Sequence, residues 1–141
     1  MNLIKLVAAA VLAMTTTAAA ETWECRYTGH WTTEDSGNAG DFTWLLTWRS
    51  AGAGWELTGN YTDRYGKSTL DGHCQQSECK MRQHYVSGSL DGKTYFWRGT
   101  YTDSADGNDR TINKFTGTWG DSPDHRSNGG AWNARAVCHK Q

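Results

Sequence analysis

Apolar and polar residues alternate with a period of two along most of the chain after residue 21. This pattern predicts strands, because successive side chains of a strand point to opposite faces. The alternating segments are separated by short runs rich in Gly, Asp, Asn and Ser, which are typical of turns. The predicted strands cover residues 22–33, 41–49, 54–62, 68–74, 79–90, 94–103, 110–121 and 130–138. The pattern therefore predicts an all-β domain.

Several strands repeat one phrase, in which an apolar residue, any residue, Gly, any residue and an aromatic residue follow each other. The clear copies centre on Gly59, Gly99 and Gly117, and an Asp stands four residues after the Gly in each. Looser copies centre on Gly29 and Gly88. A Gly on the apolar face lets a strand bend sharply and lets another group approach it. The five bent strands predict a small closed barrel.

Short connections between consecutive strands favour an eight-stranded antiparallel up-and-down β-barrel. Asp91-Gly92 is the clearest signal for a two-residue hairpin turn. A β-sandwich is the alternative, although it needs a long crossover that we do not find in the sequence. A barrel with this number of strands is either filled by side chains or open to one small ligand.

The first 20 residues have the three parts of a secretory signal peptide. Lys5 supplies a positive n-region, residues 6–14 form an apolar h-region, and residues 15–20 end in Ala-Ala-Ala. The apolar stretch is too short to span a membrane, and a structured N-terminal helix is the alternative. We predict cleavage after Ala20, a single domain over residues 21–141, and a periplasmic or secreted protein.

Basic and acidic residues nearly balance, with 14 Lys and Arg against 15 Asp and Glu. Such a surface gives no electrostatic basis for binding nucleic acid or an anionic membrane. We therefore expect neither of them as a partner.

Four cysteines in an exported chain of this size predict two disulfides. Cys25 lies in the first predicted strand and Cys138 in the last, and these strands are neighbours in a closed up-and-down barrel. Cys74 and Cys79 flank the tip of a predicted hairpin. We therefore predict the pairs Cys25–Cys138 and Cys74–Cys79.

Two segments offer metal sites as alternatives. His73, Cys74, Cys79 and His84 form a Cys2His2 set, but their spacing is not that of a known zinc finger. Residues 103–109 contain oxygen ligands and a Gly, but they lack the spacing and the terminal Glu of an EF-hand. We expect a disulfide in the first case and a solvated turn in the second, and hence neither a metal nor a cofactor.

Five strand segments share their phrases, in the same order, with one known family. They are residues 25–32 with Thr-Gly-His-Trp, residues 57–61 with Leu-Thr-Gly-Asn-Tyr, residues 97–101 with Trp-Arg-Gly-Thr-Tyr, residues 110–115 with Arg-Thr-Ile-Asn-Lys-Phe, and residues 131–137 with Ala-Trp-Asn-Ala-Arg-Ala-Val. These phrases resemble those of the avidin and streptavidin barrels. The resemblance implies a barrel that binds a biotin-like ligand and forms homo-oligomers through its walls.

The resemblance also implies a set of ligand residues. Tyr61 matches the tyrosine that directs its hydroxyl at the biotin ureido oxygen, and Trp132 matches the tryptophan that packs on biotin from a neighbouring subunit. Phe115 stands where the family has a tryptophan, and Thr33 and Ser36 fall where it has polar groups for the ureido oxygen. The fifth predicted strand lacks the family's tryptophan, and the family's aspartate near the C-terminus has no match here.

Eight tryptophans are more than a small core needs. Small-molecule sites are mostly apolar and aromatic and contain a few placed polar groups. The aromatic residues at positions that could line the interior are Trp31, Trp44, Tyr61, Trp97, Phe115 and Trp119. The alternative is that these rings only fill the barrel or close its ends.

The sequence thus predicts an exported barrel that binds a small hydrophobic or ureido-type ligand. The expected ligand residues are Trp31, Thr33, Ser36, Tyr61, Trp97, Phe115 and Trp132. The chain has no nucleophile phrase and no metalloprotease motif, so we expect a binding protein and not an enzyme. The alternative is a protein-binding barrel, such as an inhibitor or immunity-like partner, that acts through loops such as residues 121–129.

Overall fold

The computed structural model describes residues 19–124 and 129–141. Within these residues the chain forms the strands β1 Thr22–Thr32, β2 Ala39–Ala51, β3 Gly54–Asp63, β4 Gly66–Gln75, β5 Glu78–Tyr85, β6 Thr94–Ala105, β7 Arg110–Gly120 and β8 Gly130–Lys140. Each strand pairs antiparallel with its neighbours in sequence, and β8 pairs with β1. The predicted eight-stranded antiparallel up-and-down β-barrel is therefore confirmed. Residues 1–18 of the predicted signal peptide lie outside the described residues.

The sequence pattern predicts the end of the fifth strand at the wrong residue. The prediction extends it to residue 90, but β5 ends at Tyr85. Residues 86–93 form a connection in which Gly88 and Gly92 have φ angles of 80° and 85°. The Ser89 N–H donates to the Tyr65 carbonyl at 3.0 Å, so this connection is held against the β3–β4 turn and not in the strand ladder. The predicted strand phrase at Gly88 and the predicted two-residue turn at Asp91-Gly92 are therefore wrong.

Aromatic side chains fill the middle of the barrel around Trp44, which has no exposed surface. The centroid of its ring system lies 4.8–6.1 Å from those of six other aromatic side chains. These are Tyr27, Phe42, Tyr61, Trp97, Phe115 and Trp132. Such contacts contribute both apolar burial and edge-to-face attraction. The middle of the barrel is therefore a packed core and not a channel.

Inward-facing glycines make room for these rings. A Cβ atom on Gly99 would lie 2.6 Å from Cζ2 of Trp132 and 2.6 Å from the carbonyl oxygen of Thr116. A Cβ atom on Gly29 would clash with the ring of Phe42. The glycines of the repeated phrase thus let β1 and β6 approach large aromatic side chains. This is the close approach that a glycine on the apolar face of a strand predicts.

Two disulfides lie at one end of the barrel, which we call the closed end. Cys25–Cys138 joins β1 to β8, and Cys74–Cys79 joins β4 to β5 beside their turn. Both predicted pairs are confirmed, and Cys74 and Cys79 therefore offer no thiolates to a zinc ion. Disulfides of this kind are typical of proteins in an oxidising compartment. In the described part of the chain, no helix is long and apolar enough to cross a membrane.

The two disulfides are expected to differ in their contribution to stability. They close sequence separations of 113 and 5 residues, for which loop entropy gives about 5 and about 2 kcal/mol. We expect Cys25→Ala/Cys138→Ala to lose more free energy of unfolding than Cys74→Ala/Cys79→Ala, measured by urea denaturation with tryptophan fluorescence. Equal losses for the two double variants would contradict this order.

Candidate functional site

A cavity of about 370 Å³ opens at the end of the barrel opposite the disulfides, which we call the open end. The β1–β2, β3–β4, β5–β6 and β7–β8 connections meet there. The aromatic lining residues are Trp31, Tyr61, Tyr65, Tyr85, Tyr95, Trp97 and Trp119. The other described lining residues are Thr33, Asp35, Ser36, Asn38, Asp63, Gln83, Leu90, Asp121 and Gly129. Seven of these sixteen residues are aromatic and seven others have polar side chains, so the cavity combines aromatic surface with polar groups.

A hydrogen-bonded chain fixes the floor of the cavity. The indole N–H of Trp97 donates to Oε1 of Gln83 at 2.9 Å, and Nε2 of Gln83 donates to the hydroxyl of Ser68 at 2.9 Å. The Ser68 hydroxyl in turn donates to the Tyr61 carbonyl at 3.4 Å. All four residues are at most 3% exposed. Because both ends of the Gln83 amide are engaged, its orientation is set and the floor is rigid.

Asp63 brings a carboxylate into the cavity at the end of β3. Its Oδ1 accepts a hydrogen bond from the backbone N–H of Tyr65 at 2.8 Å, which is the geometry of an Asx turn. Its Oδ2 accepts a hydrogen bond from the hydroxyl of Tyr85. The carboxylate is therefore held in place from two sides, by the β3–β4 turn and by β5.

Three cavity tyrosines stay protonated at physiological pH. Burial raises the pKa of Tyr61 well above its ordinary value, and the negative charge of Asp63 raises it further. Burial also raises the pKa of Tyr85, with added effects of the hydrogen bond to Asp63 and of its charge. The pKa of Tyr95 is raised by burial first and then by the charge of Asp121. These phenols are neutral hydrogen-bonding groups, so the carboxylates supply the charge of the site.

The rim of the cavity is built from stacked aromatic rings and one arginine. The guanidinium of Arg64 lies 5.5 Å from the ring centroid of Trp31 and 4.9 Å from that of Tyr65. Trp31 also meets Trp119 edge to face, with the centroids 5.7 Å apart. Trp119 is nearly parallel to Trp97, at 5.9 Å. The tryptophan rings thus form a continuous wall from the rim to the floor.

Two hydroxyls of the predicted ligand set organise the β1–β2 connection. Oγ1 of Thr33 and Oγ of Ser36 are 2.6 Å apart, and the Asn38 N–H donates to Oγ1 of Thr33 at 3.0 Å. Both hydroxyls line the cavity near its rim. They are placed where a ligand could reach them, and they also hold the loop together.

The structure brings five of the seven predicted ligand residues together and places the other two elsewhere. Trp31, Thr33, Ser36, Tyr61 and Trp97 line the cavity. Phe115 and Trp132 do not, because both lie in the filled middle, where their ring centroids are 4.8 Å apart. They are part of the core.

Trp132 faces the interior of its own barrel, whereas the resemblance implied a tryptophan that packs on a ligand in a neighbouring subunit. It lies on the same face of β8 as the buried residues Ala134 and Ala136. Its indole N–H lies 3.1 Å from the Arg98 carbonyl oxygen and 3.0 Å from that of Thr118, to which it donates. These contacts within the chain hold the ring in the core.

The Asp residues of the repeated phrase are absent from the predicted set of ligand residues. β3 and β7 both run towards the open end, so their phrases bring Asp63 and Asp121 to the cavity. β6 runs the other way, and Asp103 comes to the closed end, where it accepts a hydrogen bond from Asn113 at 2.7 Å. Combining the phrase with strand direction would have found both carboxylates. Gln83 was also missed, and only its place in an alternating strand signals that it is buried.

No family model, curated protein or solved structure matches this chain. The avidin-like strand phrases therefore stay a resemblance, and the ligand roles of Tyr61, Thr33 and Ser36 stay predictions.

The buried tyrosines are expected to make the protein sensitive to alkali. In the unfolded chain a tyrosine loses its proton near pH 10. Below that pH both states keep the proton, whereas above it only the folded state does, so the free energy of unfolding falls as the pH rises. The loss is at most about 1.4 kcal/mol per pH unit for each buried tyrosine.

The Tyr61→Phe variant tests this linkage. We expect its free energy of unfolding to fall less than that of the wild type between about pH 10 and about pH 11, because one buried phenol has been removed. Urea denaturation at each pH gives the slope, and the ultraviolet absorbance of tyrosinate reports ionisation. An unchanged slope in the variant would contradict the burial of the Tyr61 hydroxyl.

Proposed function

We propose that the protein binds a small ligand in the cavity at the open end of the barrel. The observation that carries this proposal is an aromatic cavity of about 370 Å³ above a rigid, hydrogen-bonded floor. Ligand sites are typically concave and apolar, enclose roughly 300–1,000 Å³ and contain a few fixed polar groups. The cavity has each of these properties.

The rings and the polar groups have separate roles in this proposal. Trp97 and Trp119 stack nearly parallel and offer apolar surface to the body of a ligand. Tyr61 and Gln83 at the floor and Asp63 beside the β3–β4 turn supply polar groups that orient it. Because the floor groups are already fixed by hydrogen bonds, little side-chain order has to be created on binding.

The filled middle of the barrel limits the size of the ligand. Trp44 is completely buried below Tyr61 and Trp97, and it does not line the cavity. A ligand can therefore occupy the mouth but cannot extend along the barrel axis. We propose a compact small molecule, and not a long-chain lipid.

The protein is proposed to act outside the cytoplasm. The signal-peptide pattern of residues 1–20 and the two disulfides support this location. A compound with a ureido group is one candidate ligand, since Tyr61, Thr33 and Ser36 all line the cavity. Phe115 and Trp132 would take no direct part in binding it, because they lie in the core.

Native mass spectrometry of the oxidised protein, as purified and after addition of biotin, tests the proposal. We expect a retained or added small molecule at one per barrel, since each barrel contains this cavity. Quenching of tryptophan fluorescence should accompany binding, because Trp31, Trp97 and Trp119 line the site. The proposal would be overturned by a protein that carries no small molecule and responds to none of a panel of cationic, neutral and anionic compounds.

Trp31→Ala and Trp23→Ala form a matched pair for locating the site. Trp31 lines the cavity, whereas Trp23 lies at the closed end beside Trp48 and Trp55. We expect the first variant to lower affinity for any bound compound by at least about tenfold and the second to leave it unchanged, by calorimetric titration. Equal effects of the two variants would place binding elsewhere.

A further inference from the structure

We propose that the ligand is an organic cation, in which an ammonium or guanidinium group is attached to a small apolar body. This inference rests on the proposed function, because it assigns a chemical class of ligand to the same cavity.

The charge of the cavity lining is negative. Asp35, Asp63 and Asp121 line it, against one basic group among the described residues at the rim, the guanidinium of Arg64 over Trp31 and Tyr65; residues 125–128 lie outside this comparison. The chain as a whole is nearly neutral, with a formal net charge of −1. The excess of carboxylates is therefore local, and a cleft with low-dielectric walls concentrates such a field.

Two neutral groups hold the Asp63 carboxylate in place. They are the hydroxyl of Tyr85 and the backbone N–H of Tyr65. The negative charge also acts on the neighbouring phenols, since Asp63 raises the pKa of Tyr61 and Asp121 raises that of Tyr95. A cation entering the cavity would thus meet the negative charge of Asp63, which is held between the β3–β4 turn and β5.

The indole N–H groups of Trp97 and Trp119 are already used within the chain, so these two rings can present only their faces to a ligand. The indole N–H of Trp97 is used by Gln83, and that of Trp119 donates to the Thr32 carbonyl at 3.0 Å. The faces of such rings carry partial negative charge and attract cations within about 6 Å of the centroid. The side chains that line the cavity are therefore suited to an ammonium group on electrostatic grounds as well as by shape.

The protein itself places a cation on these rings. The guanidinium of Arg64 lies over both Trp31 and Tyr65 at the rim, and its Nη2 donates to the Tyr65 hydroxyl at 2.7 Å. This contact shows that the aromatic rim accommodates a planar cation. A ligand cation would use the neighbouring faces of Trp97 and Trp119, deeper in the cavity.

An organic cation fits this cavity better than a metal ion does. In the described part of the chain, no group of three or more His, Cys, Asp or Glu side chains is arranged to hold a metal. The described carboxylates of the cavity form no such group, and the aromatic rings that line it cannot complete the oxygen coordination that Ca²⁺ or Mg²⁺ needs. A cation with an apolar surface can contact both the carboxylates and the aromatic rings.

The test compares choline with its tert-butyl isostere, in which a carbon atom replaces the quaternary nitrogen. The two probes have the same shape and differ in charge. We expect choline to bind the full oxidised protein at least about tenfold more tightly than the isostere, by calorimetric titration. The preference should weaken as salt is added, since salt screens the interaction with the carboxylates.

Asp63→Asn and Asp35→Asn test whether the carboxylates cause this preference. Each variant should lower the ratio of the two affinities towards one, a change that a merely structural role of the side chain would not produce. Asp35 lies in the exposed β1–β2 connection, so its variant is informative even if Asp63→Asn fails to fold. Asp109→Asn is the matched control, because it removes a carboxylate from the closed end at a φ of 57° that Asn tolerates.

The outcomes separate this inference from the proposed function. Equal binding of both probes, or an unchanged ratio in both site variants, would overturn the cationic class and leave small-ligand binding in place. Binding of neither probe would also overturn it, and the compounds detected by native mass spectrometry would then decide the proposed function independently. A ratio that falls in the site variants and holds in Asp109→Asn is the result that supports the inference.

Discussion

The packing of Trp44 in the middle of the barrel is the contact on which the rest of the structure depends. Six aromatic side chains contact it, and they come from β1, β2, β3, β6, β7 and β8. Its indole N–H is buried without a hydrogen-bond partner among the described residues, which costs about 1–3 kcal/mol. The ring contacts offset this cost, since burying a tryptophan contributes several kcal/mol. Because Trp44 blocks the axis, the cavity at the open end does not continue to the closed end.

The two ends of the barrel differ in structure: one contains the disulfides and the other contains the cavity. Both disulfides lie at the closed end, where β1 begins, β8 ends and the β2–β3 and β4–β5 turns lie. The cavity lies at the open end, where the longer β1–β2, β5–β6 and β7–β8 connections meet. Covalent stabilisation is thus placed far from the loops that a ligand would contact. Strand direction extends this division to charge, because it sends Asp63 and Asp121 to the cavity and Asp103 to the other end.

The sequence could predict the barrel and its disulfides because both follow from local patterns. Alternation marks the strands, and closure makes β1 and β8 neighbours, so Cys25 and Cys138 have to meet. The depth of a side chain along the barrel could not be predicted in this way. Trp31 and Trp132 face each other in register, yet Trp31 contacts Trp119 at the mouth and Trp132 contacts Trp44 in the core. Alternation fixes the face of the sheet on which a side chain lies, but its lean along the strand depends on rotamer and packing.

The sequence left open whether the many tryptophans fill the barrel or line a cavity. In the structure some do one and some do the other. Trp44, Trp48 and Trp132 fill the barrel, as a core requires. Trp31, Trp97 and Trp119 line the cavity, and the last two commit their N–H groups to the chain itself. Hydrogen bonding of the N–H does not separate the two groups, because the core residue Trp132 also donates its N–H to backbone carbonyls. What separates them is depth along the barrel: the hydrogen bonds of Trp97 and Trp119 fix rings that line the cavity, whereas those of Trp132 fix a ring packed against Trp44.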